Sequence, residues 1–328
     1  MRFYYAPMEG ITLYPLRNIH RQIMGDGVDK YFTPFLTATN NHHFKNREKK
    51  DVLPDKNIAF DDYGNQVVPQ LMAGNAADFL WAAGEIKKLG YEEVNLNLGC
   101  PAPTVVNRHK GAGLLQDPEY LKQMLDEIFE EAAKDSFPQI SLKTRLGFSD
   151  DKEADALMNI YAAYPVKELT IHARVREDYY SGSPRYDAYK RAVEVYRKSG
   201  GKADICYNGN VDSVKSFEKI KDLPCDSVMI GRGLLTDPAL VRCLRGGEAL
   251  KPKELRDYLG ALYEGYAQYI PEDRNVIFKM LEHWAFLHVH FKDCDKYLKA
   301  IRKSRSKGEY HAAVNNIFAG CEFIGSAY

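Results

Sequence analysis

The sequence predicts a (β/α)₈ TIM barrel followed by a small all-helical domain, and three observations predict it. Short β-rich runs alternate with longer helical patterns through the first three quarters of the chain. Eight such units fit in about 240 residues, the size of a barrel of this kind. After Arg245-Gly246-Gly247 the β-rich runs stop and only helical patterns follow. The strands are expected at 3–6, 31–33, 67–71, 93–96, 140–143, 168–171, 204–207 and 227–230. Between them lie helical stretches at 76–89, 118–133, 152–163 and 186–198. In the first of these, Phe79, Leu80, Ala83, Ile86 and Leu89 recur at three- and four-residue steps and make one apolar face. Several strands are short, so a doubly wound open sheet is the competing architecture. In the tail, Leu255, Leu259, Leu262, Tyr263 and Tyr266 form one stripe, and Val276, Met280, Trp284 and Leu287 another. A last helix is expected over 315–323. The division is therefore 1–247 for the barrel and 248–328 for the helical domain.

The chain has 328 residues, and its 45 basic side chains balance its 45 acidic ones. A protein held on nucleic acid by overall charge is thereby excluded, though a local basic surface is not. No stretch approaches the roughly 18 apolar residues that a membrane-spanning helix needs. The start, Met1-Arg2-Phe3-Tyr4-Tyr5-Ala6-Pro7, lacks the apolar core of a secretory leader. Six cysteines, at 100, 206, 225, 243, 294 and 321, include no Cys-x-x-Cys pair. No metal site is expected, no disulfide framework either, and the expected setting is the reducing cytoplasm.

A TIM barrel builds its active site at the C-terminal ends of its strands. Most of the expected strands end in unusual polar or backbone-permissive residues. The first runs into Ala6-Pro7-Met8-Glu9-Gly10, where Pro and Gly let backbone approach a flat ligand. Others end at Gln70, at Asn97-Leu98-Gly99-Cys100-Pro101, at Lys143-Thr144-Arg145 and at His172-Ala173-Arg174. The last two end in Asn208-Gly209-Asn210 and Gly231-Arg232-Gly233. Loops at those two positions commonly bind phosphate. There Gly209, Gly231 and Gly233 remove side chains from a cradle, and Arg232 supplies charge; glycines that merely make tight turns are the plain alternative. Cys100, in a strand-end turn, faces the mouth of the barrel. Its thiol, protonated at neutral pH when unperturbed, can act as a general acid, or as a nucleophile if its pKa is lowered. Gln70, Asn97, Lys143 and His172 make a ring of donors suited to an electron-rich heterocycle that gains negative charge. His109 and Lys110 fall in a mobile basic loop beside Cys100.

At these residues the sequence resembles the tRNA-dihydrouridine synthase family. The likeness rests on Ala6–Gly10, on Asn97-Leu-Gly-Cys-Pro101 with Gly111-Ala-Gly-Leu-Leu115, and on Leu142-Lys-Thr-Arg-Leu-Gly147. It continues through Ile171-His-Ala-Arg174 with Tyr180-Ser-Gly182, Tyr207-Asn-Gly-Asn210 and Met229-Ile-Gly-Arg232. Position 9 is Glu where many relatives carry a smaller residue, and position 210 is Asn where an acid is common.

The resemblance implies an FMN enzyme that reduces the C5=C6 bond of particular uridines in tRNA, with NADPH or NADH as reductant. Hydride passes from reduced flavin to C6, and Cys100 protonates C5. Pro7, Met8 and Glu9 then line the flavin ring, Gln70 and Lys143 bond its polar edge, and His172 sits near that edge or the ribityl chain. Asn97 also belongs to the cofactor-binding set. Asn208, Gly209, Asn210, Gly231 and Arg232 hold the ribityl and phosphate. The enzyme is expected to act as a monomer. For the tRNA, Lys296, Lys299 and Lys303 share one side of a helix within 292–307, with Tyr297, Leu298 and Ile301 turned inward. Arg174 and Arg176, with Arg185, Tyr179 and Tyr180, add charge and stacking surface at the barrel mouth. One alternative is an FMN barrel acting on a small enone or on dihydroorotate. Another is a non-catalytic RNA-binding scaffold.

Overall fold

The computed structural model describes residues 1–25, 27–57, 66–134 and 137–325. Its strands are β1 (Arg2–Tyr5), β2 (Lys30–Phe32), β3 (Leu36–Thr37), β4 (Gln66–Val68), β5 (Gln70–Met72) and β6 (Glu93–Leu98). They continue as β7 (Gln139–Gly147), β8 (Glu168–Val175), β9 (Asp204–Asn208) and β10 (Ser227–Ile230). All belong to one parallel sheet, in the order β3-β5-β6-β7-β8-β9-β10-β1-β2-β4. The two ends of that order meet. Pro69 alone separates β4 from β5, and a proline has no N–H to give the ladder. The run is nonetheless paired on both sides: Thr33 donates to the Val68 carbonyl at 3.1 Å and Asn95 to the Pro69 carbonyl at 2.9 Å. The strand expected at 67–71 is thus one strand interrupted, and it closes the ring. Closure decides for the TIM barrel over the open sheet.

The helices are α1 (Tyr14–Met24), α2 (Asn46–Lys50), α3 (Ala76–Lys88), α4 (Pro103–Val106), α5 (Pro118–Ala132), α6 (Glu153–Ala162) and α7 (Tyr186–Lys198). After them come α8 (Val214–Glu218), α9 (Arg232–Thr236), α10 (Leu240–Leu244), α11 (Pro252–Ala267), α12 (Asp273–Leu287), α13 (Asp295–Lys303) and α14 (Lys307–Gly320). Their starts follow local chemistry. Asn75 caps α3 by accepting from the Asp78 N–H at 2.8 Å, and Asp117 caps α5 ahead of Pro118 at its first position.

By contacts the chain divides into two compact units. The first comprises Met1–Gly10, Asp29–Asn210 and Asp222–Met229, and the second Ile11–Val28, Val211–Lys221 and Ile230–Tyr328. In the second, α11 buries Leu255, Leu259, Leu262, Tyr263 and Tyr266, and α12 buries Val276, Met280, Trp284 and Leu287, as the two stripes require. Tyr310 of α14 stacks on Tyr263 at 4.8 Å and accepts from the Trp284 indole at 3.3 Å. The last helix runs over Lys307–Gly320 rather than 315–323 because Ser306 caps it, accepting from the Glu309 N–H.

Inside the first unit, Tyr4, Ala6, Phe32, Val68, Cys206 and Met229 pack into one apolar cluster. Below it, at the strand starts, sits a charged group. Lys30 bonds Glu93 at 3.1 Å and Glu168 at 3.3 Å, Lys167 reaches Glu93 at 3.0 Å, and Tyr4 donates to Glu168 at 2.8 Å. Burial pushes the Glu168 carboxyl up, and Lys30 offsets only part of that rise. Removing one partner of such a buried set leaves a charge uncompensated, at a cost of about 3–5 kcal/mol. Lys30→Met is therefore expected to lower the urea-unfolding free energy by that order. Adding Glu93→Gln and Glu168→Gln should recover most of the loss, and equal stability of Lys30→Met and wild type would refute the assignment.

Candidate active site

The parallel register sets polar residues in tiers at the C-terminal ends of the strands. Gln70 lies opposite Asn95, Asn97 opposite Lys143, and Arg145, His172 and Asn208 lie in line across β7, β8 and β9. Because strand side chains alternate, Lys143 and Arg145 share a face. An amide relay runs through the first two tiers. Asn95 donates to Ser141 at 3.0 Å, Gln70 to Asn95 at 2.8 Å, and Asn97 to the Gln70 oxygen at 2.7 Å. The Asn97 oxygen then accepts from two backbone N–H groups, of Gly99 at 3.0 Å and Cys100 at 2.9 Å. Asn97, expected by resemblance to bind the cofactor, uses its amide oxygen to shape the turn that carries Cys100 and one amide N–H to bond Gln70.

Three further contacts hold that turn. Arg145 donates from Nε to the Gly99 carbonyl at 2.7 Å, and Ala112 from its N–H to the Cys100 carbonyl at 3.1 Å. Gly111, at φ +56°, lies against Cys100: a Cβ there would come within 3.0 Å of both the Cys100 Cβ and its carbonyl. The segment read as a mobile basic loop is built from α4 and a 3₁₀ turn at Gly111–Gln116, with Lys110 donating to the Ala38 carbonyl at 2.6 Å. His109, exposed, holds a left-handed φ of +49°.

Burial pushes the Cys100 thiol above its ordinary pKa, against smaller downward pulls that include Arg145 and Lys143. It is a protonated thiol at neutral pH, the form a general acid needs. Lys143 donates to the Asn208 side chain at 2.9 Å, and Asn208 to the Met229 carbonyl at 2.8 Å. Burial first, then Arg145, brings Lys143 down to about 8. Burial likewise brings Arg145 down to about 10. Among the described residues no carboxylate lies within ion-pair distance of either cation. Arg145 satisfies itself on carbonyls, of Gly99, of Val175 at 2.9 Å and of Tyr179 at 3.1 Å.

Sequence reasoning left Arg145 without a task, although its position two residues beyond Lys143 on one strand was the available signal. The 175–179 carbonyls it holds begin a loop that is also fixed by Arg185, paired to Asp178 at 2.8 Å and Asp151 at 2.9 Å. Tyr179 and Tyr180 on that loop are exposed, and Arg176 lies over the Tyr179 ring at 4.9 Å. Arg174 behaves otherwise than expected. β8 continues to Val175, so Arg174 is a strand residue, fully buried, donating to the Ser181 and Gly182 carbonyls and close to His172 at 3.4 Å. Its charge does not reach the surface; it braces the loop instead.

Pro7 and Met8 are half-buried, while exposed Glu9 pairs with Arg47 at 3.3 Å. Gly209 is required by local packing, since a Cβ there would meet the Tyr207 hydroxyl at 2.4 Å. The same holds in the second unit for Gly233, where it would meet the Val211 carbonyl at 2.1 Å. Gly231 caps α9, and Arg232, its first residue, is exposed. Also in that unit, α13 buries only Ile301; Tyr297 and Leu298 are half-buried and Lys296, Lys299 and Lys303 exposed. Among the described residues no group of three His, Cys, Asp or Glu is placed to hold a metal, and no helix is long and apolar enough to cross a membrane.

Residues 4–320 match the family model described as dihydrouridine synthase. The chain belongs to the dihydrouridine synthase family. It is similar to the tRNA-dihydrouridine(16) synthase of Cupriavidus necator, at 31% identity over 75% of this chain and 74% of that one. Its likeness to the enzyme of the same name from Ralstonia nicotianae is 29% identity over 80% of each. Likeness to the tRNA-dihydrouridine synthase B of Pseudomonas aeruginosa is 26% over 88% of this chain and 78% of that one. Among solved structures, morphinone reductase superposes with a TM-score of 0.53, at 13% identity over 76% of this chain and 87% of that one, a likeness of fold. This dihydrouridine synthase is an oxidoreductase enzyme.

The raised Cys100 pKa makes a direct forecast. Alkylation of the Cys100 peptide by iodoacetamide, followed by mass spectrometry, should be slow at pH 7 and still accelerating at pH 9, because only the thiolate reacts. A rate already at its plateau at pH 7 would mean an activated nucleophile instead of an acid.

Proposed function

We propose that this dihydrouridine synthase reduces the C5=C6 bond of uridines in tRNA, using bound FMN that NADPH or NADH reduces. The observation that carries the reading is the pairing of a protonated Cys100 with two desolvated cations, half-buried Lys143 and buried Arg145, that have no carboxylate partner among the described residues. Such a donor set fits a flavin, whose polar ring edge gains negative charge when reduced. Lys143 would bond that edge, with Gln70 offering the N–H that its relay leaves over and His172 close by. Pro7 and Met8 would line the ring, and the 208–210 turn would take the ribityl and phosphate. When bound, FMN supplies the hydride that C6 receives.

The chain's own residues supply the rest. Cys100 gives its proton to C5, and Asn97 and Arg145 fix the turn from which it does so. Lys143, with a pKa brought near neutrality, holds positive charge at the ring edge without a carboxylate that would oppose electron gain. Tyr179 and Tyr180 offer rings on which an unstacked base can lie, offsetting part of the few kcal/mol that unstacking costs. Lys296, Lys299 and Lys303 on α13, with Arg176, would meet backbone phosphates. The relatives' names support tRNA as the substrate.

The test is to incubate the purified, flavin-loaded protein with unmodified tRNA and NADPH and to count nucleosides by mass. Wild type should convert uridine to a product two daltons heavier. Cys100→Ala should bind FMN normally, oxidise NADPH, and yield less product by about 10²-fold or more, the contribution expected of a positioned acid. Oxidation of NADPH with no change in any tRNA nucleoside would transfer the assignment to a small-molecule reductase.

A further inference from the structure

The segment after β3, Thr39-Asn40-Asn41-His42-His43-Phe44-Lys45-Asn46-Arg47-Glu48-Lys49-Lys50-Asp51, has a formal charge of only +2, from four bases and two acids. The fold sorts them. Glu48 and Asp51 are buried, at 8% and 5% exposure, whereas Lys45, Arg47, Lys49 and Lys50 are exposed. The acids turn inward for a structural reason: Glu48 accepts from the Thr37 N–H at 3.4 Å. All four bases are thereby presented to solvent on a dozen residues, in a chain whose net charge is zero.

This surface is built rather than loose. His42 takes a left-handed φ of +47° and stacks on Trp81 at 5.0 Å with the rings within 4° of parallel, and Phe44 packs on the same indole at 4.8 Å. The segment is also tied to the active site at two points. The Ala38 carbonyl at its root accepts from Lys110, in the segment that supports Cys100, and Arg47 pairs with Glu9 in the β1 turn. Two ion pairs on this surface are Lys45, exposed, with buried Glu48 at 3.8 Å, longer than a hydrogen bond, and Arg47 with Glu9 at 3.3 Å, both exposed and of the kind worth less than about 1 kcal/mol.

We infer that the 39–50 segment is a further RNA-contacting surface, with Lys45, Lys49 and Lys50 meeting backbone phosphates close to where the target base is held. The inference rests on the tRNA reading above and adds a surface on the barrel unit to the α13 lysines. Its role is to offset part of the cost of unstacking a base.

The experiment compares the FMN-loaded wild type with Lys45→Gln/Lys49→Gln/Lys50→Gln, binding one unmodified tRNA transcript from 50 to 300 mM salt. Arg47 is left in place because it pairs with Glu9. Three lost phosphate contacts should reduce the slope of log Kd against log salt by roughly 2 to 3 and weaken binding about tenfold or more at the low-salt end. Flavin reduction by NADPH without tRNA serves as the control for folding, and a triple Lys→Arg variant, which keeps the charge, should bind as wild type. An unchanged slope and affinity in the glutamine variant would overturn the inference, as would equal losses in the arginine variant. Failure of the wild type itself to bind tRNA would instead overturn the functional reading.

Discussion

Charge is balanced at one end of this barrel and left unbalanced at the other. At the base, Lys30 and Lys167 meet Glu93 and Glu168, and the interior closes over a neutral set. At the mouth, half-buried Lys143 and buried Arg145 bond amide and carbonyl groups, with no carboxylate at ion-pair distance among the described residues. Holding two cations there without a carboxylate costs free energy, visible in the lowering of both pKa values by burial. A fold tolerates that cost where a ligand bearing or gaining negative charge comes to the same place. The site is in this sense electrostatically incomplete among the described residues.

The same economy explains the Cys100 turn. A general acid has to be held at one orientation while its proton stays on, and nearby cations work against the second requirement. Here desolvation outweighs the pull of Arg145 and Lys143, so the thiol remains protonated. Orientation comes from backbone contacts: two N–H groups on the Asn97 oxygen, the Gly99 carbonyl on Arg145, and a left-handed glycine at 111 that lets the chain pass close by. Arg145 also grips the loop that displays Tyr179 and Tyr180, so one buried side chain ties the Cys100 turn to the surface proposed to receive a base.

Much of this was legible in the sequence. Each of the eight expected strands has a counterpart, one of them split at Pro69, while β3 at Leu36–Thr37 was not expected; the apolar stripes of α11 and α12 are buried residue for residue. The set of Gln70, Asn97, Lys143, His172 and Asn208 was visible as strand-end polar residues, because a barrel's geometry converts strand ends into a common mouth. What was hidden depends on facts a linear pattern does not carry. Pro69 splits a strand and yet closes the ring, which only the pairing on its two sides reveals. Arg174 reads as a mouth residue until β8 is seen to run on past it. Asn97 reads as a ligand donor, and only the fold shows that its amide oxygen also shapes the Cys100 turn. The sorting of Glu48 and Asp51 inward and four bases outward cannot be seen in a net charge of +2.

The unbalanced mouth is the central claim, and the two-electron midpoint potential of the bound FMN tests it most directly. Positive charge at the ring edge favours the reduced, more negative flavin. Lys143→Met should therefore lower the potential by tens of millivolts, about 30 mV for each 1.4 kcal/mol of lost stabilisation. A potential and FMN affinity unchanged in Lys143→Met would contradict the account, and would mean that this half-buried cation serves the barrel alone.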